Sequence, residues 1–361
     1  MKIQEVARRA GVSTATVSRT INNPSMVNAK TAKRVRKAVE ELRYYPNSQA
    51  RSLVSGRSRI VGLIVSDITN PFFPELIKGF EDLAIHNGYE ILVSSTNYDS
   101  ARMALCVRRM LERKVEGVAI MTSEMDKHLV EQLARRDVPM VFLDVAPPGD
   151  RISNVVVDYA MGINEAMDHL LSIGHRRIGF ISGPPALKSA RIRRSAFVRS
   201  LHRYGIDEQE GLVGEGDHTV DGGLRAMERM IESDCVPTAI LASNDLTAIG
   251  MMRAARRTGL CVPRDISIVG FDDIRLAEFT EPPLTTVRLS RQELAENAFH
   301  ALLSDLRRQP KTKPDGKVET HLVIRESTCQ ARPVATSHQT NSRPPGSNSN
   351  RHTAPGSLDH P

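Results

Sequence analysis

The sequence contains no tryptophan, and its aromatic residues make up only 4% of the chain. Apolar residues nevertheless reach 40%, which is enough to form hydrophobic cores. No apolar run approaches about 20 residues, and the N-terminus lacks the apolar core of a signal peptide. The cysteines are too scattered for a metal site and indicate a reduced, cytoplasmic protein; they are Cys106, Cys235, Cys261 and Cys329. We therefore expect a cytoplasmic protein without a membrane segment.

Negative charge is scarce in the first sixth of the chain. Residues 1–59 carry thirteen lysines and arginines but only three glutamates, a net charge of +10 within a total of +7. The other 302 residues therefore sum to −3. Such a concentration of positive charge predicts contact with phosphate, nucleic acid or an anionic membrane.

The length of 361 residues exceeds that of most single domains, so two or more compact units are expected. From Arg59 onward, short β-branched runs alternate with amphipathic stretches, as in RIVGLIVSD, PFFPELIKGFEDLAIHNG and YEILVSST. The pattern restarts at RRIGFISG and continues through TAILAS and DISIVGF. It favours two doubly wound lobes with parallel strands rather than one large sheet. In such sheets, ligands bind at the carboxyl ends of strands or in the crevice between lobes.

The segment GVSTATVSRTINN, residues 11–23, holds a single charged residue within the basic region. It follows IQEVARRA, in which apolar residues recur at helical spacing. Gly11 permits a tight turn, and Ser13 can cap a second helix from Thr14 to about Asn22. Two short helices joined by such a turn describe a helix-turn-helix. A plain αα-hairpin would give the same local pattern, and the charge excess favours DNA binding.

Small side chains on the second helix would allow its backbone to approach base edges and phosphates. Arg19 can donate two hydrogen bonds to guanine, and Ala15 can touch a thymine methyl group. A third, basic helix follows, which Asn28 can cap. The predicted DNA contacts in this region are Ser13, Thr14, Ala15, Thr16, Ser18, Arg19 and Asn22.

The segments IQEVARRAGVSTATVSRTINN and TAKRVRKAVEELRYYPNSQARSL closely resemble the LacI/GalR family of bacterial transcription repressors. The match continues through ITNPFF, VEGV, GHRRIGFISGP, SNDLTAIG and VPRDISIVGFDD and covers about residues 2–329. The resemblance implies a homodimer whose recognition helices read a near-palindromic operator in double-stranded DNA. Residues 47–55 would form the hinge helix that orders on the operator. Leu53 would be the minor-groove wedge, with Ala50 one turn before it.

The resemblance also implies an α/β protein with an all-α headpiece and a two-lobed, periplasmic-binding-protein-like domain. Three crossings between the lobes would form a hinged clamp around a small effector. The implied boundaries are 1–46 for the headpiece, 47–58 for the hinge and linker, 59–330 for the effector domain, about 60–160 and 290–317 for its N-lobe, and about 161–289 and 318–329 for its C-lobe. Residues 331–361 lie outside the resemblance; they are rich in Ser, Asn, Pro, His and Gly, and this composition predicts a disordered tail.

Residues from both lobes match the family's effector cleft; they are Phe72, Phe73, Asp144, Arg193, His218, Asn244 and Asp272. Asp272 would bond vicinal hydroxyls, and Asn244 could both donate to and accept from sugar hydroxyls. The implied effector is a sugar or sugar derivative, with pentose, hexose, sugar acid, sugar phosphate and nucleoside all open. The direction of its effect on operator binding is also open.

Several of the predicted effector residues, and two aspartates beside them in the sequence, have interpretations that involve no ligand. Phe72 and Phe73 could only fill a gap at the hinge. Asp245 and Asp273 are expected to cap helices. His218 stands where many family members carry an aromatic residue, and a histidine can stack, form hydrogen bonds or become charged near neutral pH. This departure puts the sugar assignment in doubt.

Two other functions compete with the regulator. An extracytoplasmic solute-binding protein would share the two-lobed architecture, but the basic headpiece and the missing signal peptide argue against it. An enzyme could pair Asp144 with Asp272 as acid and base. No metal cluster, nucleophile elbow or phosphate loop accompanies them, so we expect neither catalysis nor a cofactor.

Overall fold

The computed structural model describes residues 2–45, 56–122, 125–144, 149–206, 212–233, 236–308 and 316–332. Ala50, Leu53 and most of the predicted hinge segment lie outside these ranges, as does the predicted tail from residue 333. None of the described helices combines the length and apolar character needed to cross a lipid bilayer.

The N-terminal residues form three helices, α1 (Ile3–Ala10), α2 (Thr14–Asn22) and α3 (Ala29–Glu41). Gly11 ends α1 with a φ of +62°, a conformation that glycine adopts without strain. The Ser13 hydroxyl accepts from the Thr16 N–H at 3.2 Å, and Asn28 caps α3 in the same way. The predicted turn and both predicted caps are confirmed.

A small core holds the three helices together. Each helix contributes one valine with no exposed surface: Val6, Val17 and Val35. Polar contacts reinforce this packing, since Arg34 on α3 donates to the Gly11 carbonyl oxygen at 3.3 Å. The helix-turn-helix is therefore held by a third helix rather than by its two helices alone.

The next elements form an α/β unit, which we call the N-lobe. Its strands are β1 (Ile60–Val65), β2 (Glu90–Ser95), β3 (Gly117–Met121), β4 (Met140–Leu143) and β5 (Ile152–Asp158). The helices between them are α4 (Phe72–His86), α5 (Ser100–Glu112) and α6 (Lys127–Ala134).

The chain then builds a second unit, the C-lobe. Its helices are α7 (Tyr159–Ser172), α8 (Lys188–Arg203), α9 (Val220–Glu232) and α10 (Asp245–Arg257). Its strands are β6 (Ile178–Ser182), β7 (Val213–Glu215), β8 (Ala239–Ala242), β9 (Ser267–Asp272) and β10 (Thr285–Leu289). A 3-10 helix, Arg275–Phe279, lies between β9 and β10.

The chain returns to the N-lobe through α11 (Arg291–Leu306), which packs on α4, and ends in β11 (Gly316–Val323). Both lobes carry helices on two faces, as the doubly wound pattern predicted. In the N-lobe, α4 and α11 belong to one core cluster, whereas α5 and α6 belong to another. In the C-lobe, α9 and α10 cover the face opposite to α7 and α8.

The described strands are hydrogen-bonded in one continuous order, β2-β1-β3-β4-β5-β11-β10-β9-β8-β6-β7. The first half of β11 pairs in parallel with β5, and its second half pairs antiparallel with β10. The two lobes therefore share a strand, instead of containing two separate sheets.

Three chain crossings lie on neighbouring strands at this junction: after β5, after β10 and within β11. The Thr320 hydroxyl joins two of them. It donates to the Asp158 carbonyl oxygen at 2.7 Å and accepts from the Gly162 N–H at 3.0 Å. A Cβ atom at Gly162 would lie 2.7 Å from Thr320 Oγ1 and even closer to Val287. The crossing therefore requires a glycine at this position.

The end of the described chain is attached to the C-lobe. The Ala331 N–H donates to the Ile173 carbonyl oxygen at 2.9 Å, and Arg332 pairs with Asp265 at 2.7 Å. These two residues belong to the segment that the sequence assigned to the tail.

Gly162→Ala should destabilise the protein by about 1–3 kcal/mol, because the added methyl group overpacks the junction. Urea unfolding would measure this change. Gly79→Ala on α4 is the matched control, because its Cβ would meet only the Ala295 methyl, at 3.2 Å. We expect the control to change the free energy of unfolding by less than about 1 kcal/mol. Equal losses in both variants would contradict the special packing at Gly162.

Candidate functional site

The predicted recognition helix, α2, presents most of the predicted DNA contacts to solvent. Thr14, Ala15 and Arg19 are exposed, as are Ser13 and Asn22. Two others are half-buried; they are Thr16 and Ser18. The Ser13 hydroxyl is also engaged in capping, and Asn22 donates to Ser18 at 3.2 Å. The exposed part of the predicted DNA-contact surface is therefore centred on Thr14, Ala15 and Arg19.

The predicted effector residues lie at the carboxyl ends of strands or in the segments that follow them. In the N-lobe, Phe72 and Phe73 begin α4 after β1, and Asp144 comes directly after β4. In the C-lobe, Arg193 lies on α8, the helix after β6, and Asp272 is the last residue of β9. His218 and Asn244 follow β7 and β8. Parallel α/β sheets bind ligands at this edge.

Arg193 is the buried cation of the site, with a relative exposure of 7%. Its guanidinium carbon lies 4.3 Å from the centre of the Phe271 ring and 4.9 Å from that of Tyr159. One terminal nitrogen donates to the Ser243 carbonyl oxygen, and the other lies 3.6 Å from Asp272 Oδ1. The aromatic faces stabilise the charge of this buried side chain.

Asp272 ends β9 with its carboxyl group buried, at 5% relative exposure. Within the described ranges, no hydrogen-bond donor contacts this carboxyl group, and its ionic partner Arg193 is 3.6 Å away. Burial raises the pKa of Asp272 to about 6, although Arg193 and Arg291 favour the charged form. At pH 7 most of this group is ionised, and it accepts fewer hydrogen bonds than a carboxylate can. We call it an under-bonded carboxylate; such a group is suited to accept hydrogen bonds from ligand hydroxyls.

Asp144, on the opposite lobe, is bound differently. Its carboxylate accepts from the Tyr159 hydroxyl at 2.7 Å and from the Val157 N–H at 3.2 Å. Burial raises the pKa of Asp144, and these two hydrogen bonds oppose the shift. Since Tyr159 also stacks near Arg193, Asp144 positions an aromatic ring of the site.

His218 and Asn244 form a connected network with Arg193. His218 Nε2 lies 2.8 Å from the Ser243 hydroxyl, and Asn244 donates to the His218 carbonyl oxygen at 3.0 Å. The His218 ring lies so close to Gly183 that a Cβ atom at Gly183 would overlap it. Burial lowers the pKa of His218 to about 3, and the nearby Arg193 adds to this shift. The imidazole is therefore neutral at physiological pH.

The two phenylalanines at the start of α4 are buried to the same degree as the polar residues of the site. Phe72 and Phe73 are 6% and 8% exposed, and their ring centres lie 5.3 Å apart in an edge-to-face contact. Both rings belong to a core cluster that includes residues of both lobes. Asn70 holds the start of α4 by accepting from the Phe72 N–H at 3.1 Å. The two rings could therefore line the effector cleft or only fill space in the core, and both interpretations from the sequence remain predictions.

Comparison with known proteins identifies the family. Residues 2–47 match bacterial regulatory proteins of the lacI family, and residues 167–328 match a periplasmic binding protein-like domain. The chain is 34% identical over 328 residues to the HTH-type transcriptional repressor CytR of Escherichia coli K12, a match that covers 90% of this chain and 96% of CytR. The chain belongs to the LacI family.

Other LacI-family proteins agree with this assignment. Catabolite control protein A of Priestia megaterium is 32% identical over 329 residues, covering 90% of this chain and 98% of that protein. The crystal structure of the Lac repressor dimer bound to operator and the anti-inducer ONPF matches with a TM-score of 0.80 and 30% identity, covering 91% of this chain and 99% of that chain. The protein is thus a DNA-binding transcriptional repressor and not an enzyme, which removes both competing functions.

Two aspartates beside the LacI-family cleft do not cap helices, and those predictions are wrong. The α10 cap is Asn244, whose side chain accepts from the Thr247 N–H at 3.0 Å. Asp245 is fully buried instead, where it accepts from the Ile274 N–H at 2.7 Å and from the Thr286 hydroxyl. Burial raises the pKa of Asp245 well above its usual value.

The second of these residues, Asp273, forms ion pairs. Its carboxylate contacts Arg288 at 2.6 Å and Arg325 at 2.7 Å. Asp272 and Asp273 have φ angles of 109° and 53°, which non-glycine residues rarely adopt. The ion pairs therefore hold a strained turn at the end of β9.

Sequence reasoning missed three residues of the Arg193 network: Tyr159, Phe271 and Ser243. Tyr159 directly follows β5, and Ser243 directly follows β8, so the rule that ligands bind at strand ends could have found both. Phe271 is an apolar residue inside β9 and carries no such signal. Across the described ranges, no group of three or more His, Cys, Asp and Glu side chains could hold a metal ion.

His218 should make folding stability depend on pH. Its pKa is near 6.5 in an unfolded chain but about 3 in the folded protein, so the unfolded state takes up the proton first. The contribution is complete above pH 6.5 and is lost as the pH falls towards 3. Between pH 7 and pH 5, it should reduce the free energy of unfolding by about 2 kcal/mol.

Asp272 titrates in the same pH range with the opposite sign, so the contribution of His218 must be isolated by comparison with a variant. His218→Asn removes the imidazole and tolerates the left-handed backbone at this position, where φ is +64°. Urea unfolding at pH 5 and pH 7 should show a pH-dependent loss that is about 2 kcal/mol smaller in the variant. An identical pH dependence in both proteins would contradict the burial of a neutral histidine.

Proposed function

We propose that this LacI-family repressor binds a near-palindromic operator as a homodimer and that a neutral, hydroxyl-bearing effector controls its operator affinity. The effector is a sugar or nucleoside bound between the lobes. The protein acts in the bacterial cytoplasm, at the nucleoid when it is on its operator. The under-bonded carboxylate of Asp272, facing the cleft beside Arg193, is the observation that carries this proposal.

Several features support the DNA-binding part. The exposed face of α2 carries Thr14, Ala15 and Arg19 within a segment of net charge +10. A similar protein, the Lac repressor, is a dimer on its operator. The charge supplies phosphate contacts, and the side chains of α2 supply the contacts to base edges. Leu53 and Ala50 complete the operator contacts as the minor-groove wedge and its neighbour.

The homodimer has a suitable apolar surface on the C-lobe. Phe279 and Leu276 are 71% and 49% exposed on the 3-10 helix, and Ile324 is 60% exposed. Arg325, next to Ile324, lies 3.4 Å from Glu278, so the three apolar side chains share one region. Exposed apolar clusters of this kind mark protein interfaces.

The charges in the cleft favour a neutral effector over a sugar acid or a sugar phosphate. Two rings cover Arg193, and its terminal nitrogens are directed to Ser243 and Asp272. An anionic ligand would also place a second negative charge beside the Asp272 carboxylate, and like charges at short range are costly in a buried site. Ligand hydroxyls would instead supply the missing donors to Asp272, with Asp144, His218 and Asn244 as further polar contacts.

Similar proteins bind ligands of this class. A transcriptional regulator, CelR, was solved in complex with cellobiose, and a LacI-family regulator from Enterococcus faecium was solved with bound ribose; both are 28% identical to this chain. Their TM-scores are 0.69 and 0.67. Neither ligand carries a net charge.

The decisive experiment selects random duplex DNA with the purified full chain, with and without a panel of ribose, cellobiose, uridine and ribose 5-phosphate. We expect recovery of a near-palindrome of about 14–20 base pairs, because half-sites mirror a dimer's symmetry. A neutral compound should change the recovery, and the sign of that change gives the direction of control. Recovery of no motif would overturn the operator proposal, and a response to the phosphate alone would overturn the effector class.

Leu53→Ala should weaken binding to the selected palindrome by about tenfold or more, while binding to a scrambled duplex stays within about twofold. The reason is that the leucine would wedge a base step and kink the specific site, which is worth a few kcal/mol. Fluorescence anisotropy with both duplexes measures the ratio. Lys33→Ala, which removes an exposed charge of α3, should lower both affinities alike. Equal losses for Leu53→Ala would contradict the wedge.

Asp272→Asn should keep operator affinity within about threefold in the absence of effector and abolish the response to the compound found in the panel. The amide replaces one of the two acceptor oxygens of the carboxylate with a donor NH2 group, so it cannot accept a hydroxyl hydrogen bond at both positions. Asp265→Asn is the control, because Asp265 precedes the same strand at its opposite end. Loss of basal operator binding in a folded Asp272→Asn protein would show that Asp272 does more than bind effector.

A further inference from the structure

Arg291 is the first residue of α11, directly after the chain crosses from β10 of the C-lobe. Its side chain is only 16% exposed, and two nitrogens of its guanidinium group contact different lobes. Nε donates to Glu75 Oε2 in the first turn of α4 at 2.8 Å. Nη1 donates to the carbonyl oxygen of Asp272 at 2.7 Å.

The carbonyl oxygen that Arg291 contacts belongs to the strained turn after β9. Asp273 pairs with Arg288 and Arg325, and the Ile274 N–H donates to Asp245, so several groups of the C-lobe hold this turn. Among the side-chain contacts of this turn in the described residues, only that of Arg291 comes from an N-lobe helix.

The other end of the bridge lies on α4 of the N-lobe. Glu75 is two residues after Phe73, in the helix that begins at the effector loop. Arg291 thus connects the backbone of Asp272 to α4 through one rigid guanidinium group. Two separate nitrogens make these bonds, and a lysine with its single nitrogen cannot span both in the same geometry.

We infer that Arg291 is a positioning residue that couples the position of Asp272 to the N-lobe and so sets the angle between the lobes. A change at Asp272 on ligand binding is then transmitted to α4 without passing through the cleft. Hinge motion between packed lobes is confined to a few residues at the crossings. Arg291 lies at the crossing after β10, and its hydrogen bonds to both lobes restrict motion there. The inference rests on the proposed effector role of Asp272, but its test needs no effector.

The test measures the distance between the lobes in the effector-free, full-length protein. Spin labels are placed by Arg102→Cys on α5 and Asp221→Cys on α9, both exposed positions, in a background where serine replaces Cys235, Cys261 and Cys329. These helices follow β2 and β7, the outermost strands of the described order, so a rotation about the central strands moves them most. Pulsed dipolar spectroscopy then gives the distance distribution.

In Arg291→Met and Arg291→Lys, we expect the mean distance to shift, or its distribution to broaden, by more than about 2 Å, the scale of a domain rearrangement. Glu75→Gln, which weakens only the N-lobe end, should shift it in the same direction by less. Arg288→Met is the matched control, since it breaks an ion pair of the same turn within the C-lobe, and its distribution should equal that of the parent protein.

A purely local role predicts a different pattern. If Arg291→Met lowers the thermal midpoint while the distances stay unchanged, the coupling is overturned. It is also overturned if Arg288→Met shifts the distances as much as Arg291→Met. If Arg291→Met fails to fold, the inference is tested with Glu75→Gln instead. An unchanged distribution of spin-label distances in that variant overturns the inference. Failure to find any effector would not alter these outcomes, so the two proposals fail separately.

Discussion

Hydrogen bonds along β11 join the two halves of the effector domain, since this single strand completes the N-lobe through β5 and the C-lobe through β10. The lobes cannot slide past each other without breaking this ladder. Rotation about the three neighbouring crossings leaves it intact. The Thr320 hydroxyl and the absence of a side chain at Gly162 keep two of these crossings within hydrogen-bonding distance. The same arrangement directs the carboxyl ends of strands from both lobes to one cleft.

The buried carboxylates at the cleft differ in how many hydrogen bonds they accept from the protein itself. Asp144 already accepts two hydrogen bonds, and Asp245 accepts from a backbone amide and a hydroxyl. Among the described residues, the Asp272 carboxylate faces only the guanidinium of Arg193, at 3.6 Å. Burying an incompletely bonded carboxylate is costly, and such sites are found where a ligand completes the bonding. This difference separates structural carboxylates from the one that we assign to the effector.

How much the sequence could predict depends on how local each interaction is. The headpiece was predictable because Ser13 caps a helix three residues away, and because Gly11 needs only its own backbone freedom. The strands and helices of the two lobes were predictable because short β-branched runs alternate with amphipathic stretches along the sequence. Asp245 and Asp273 were misread because their partners Thr286 and Arg325 lie 41 and 52 residues further along the chain. No local pattern encodes such contacts. The same holds for the ring of Phe271 on Arg193.

The contact between His218 and Gly183 has a consequence for changing the specificity of this cleft. Gly183 has no room for a Cβ atom because the imidazole ring lies against its backbone. Residue choice at one position therefore sets the volume allowed at the other, although 35 positions separate them in the sequence. A library that randomises either site alone would sample mostly collisions or voids. Varying the two positions together, with small residues at one balancing large residues at the other, would explore the shapes that this wall of the cleft can take.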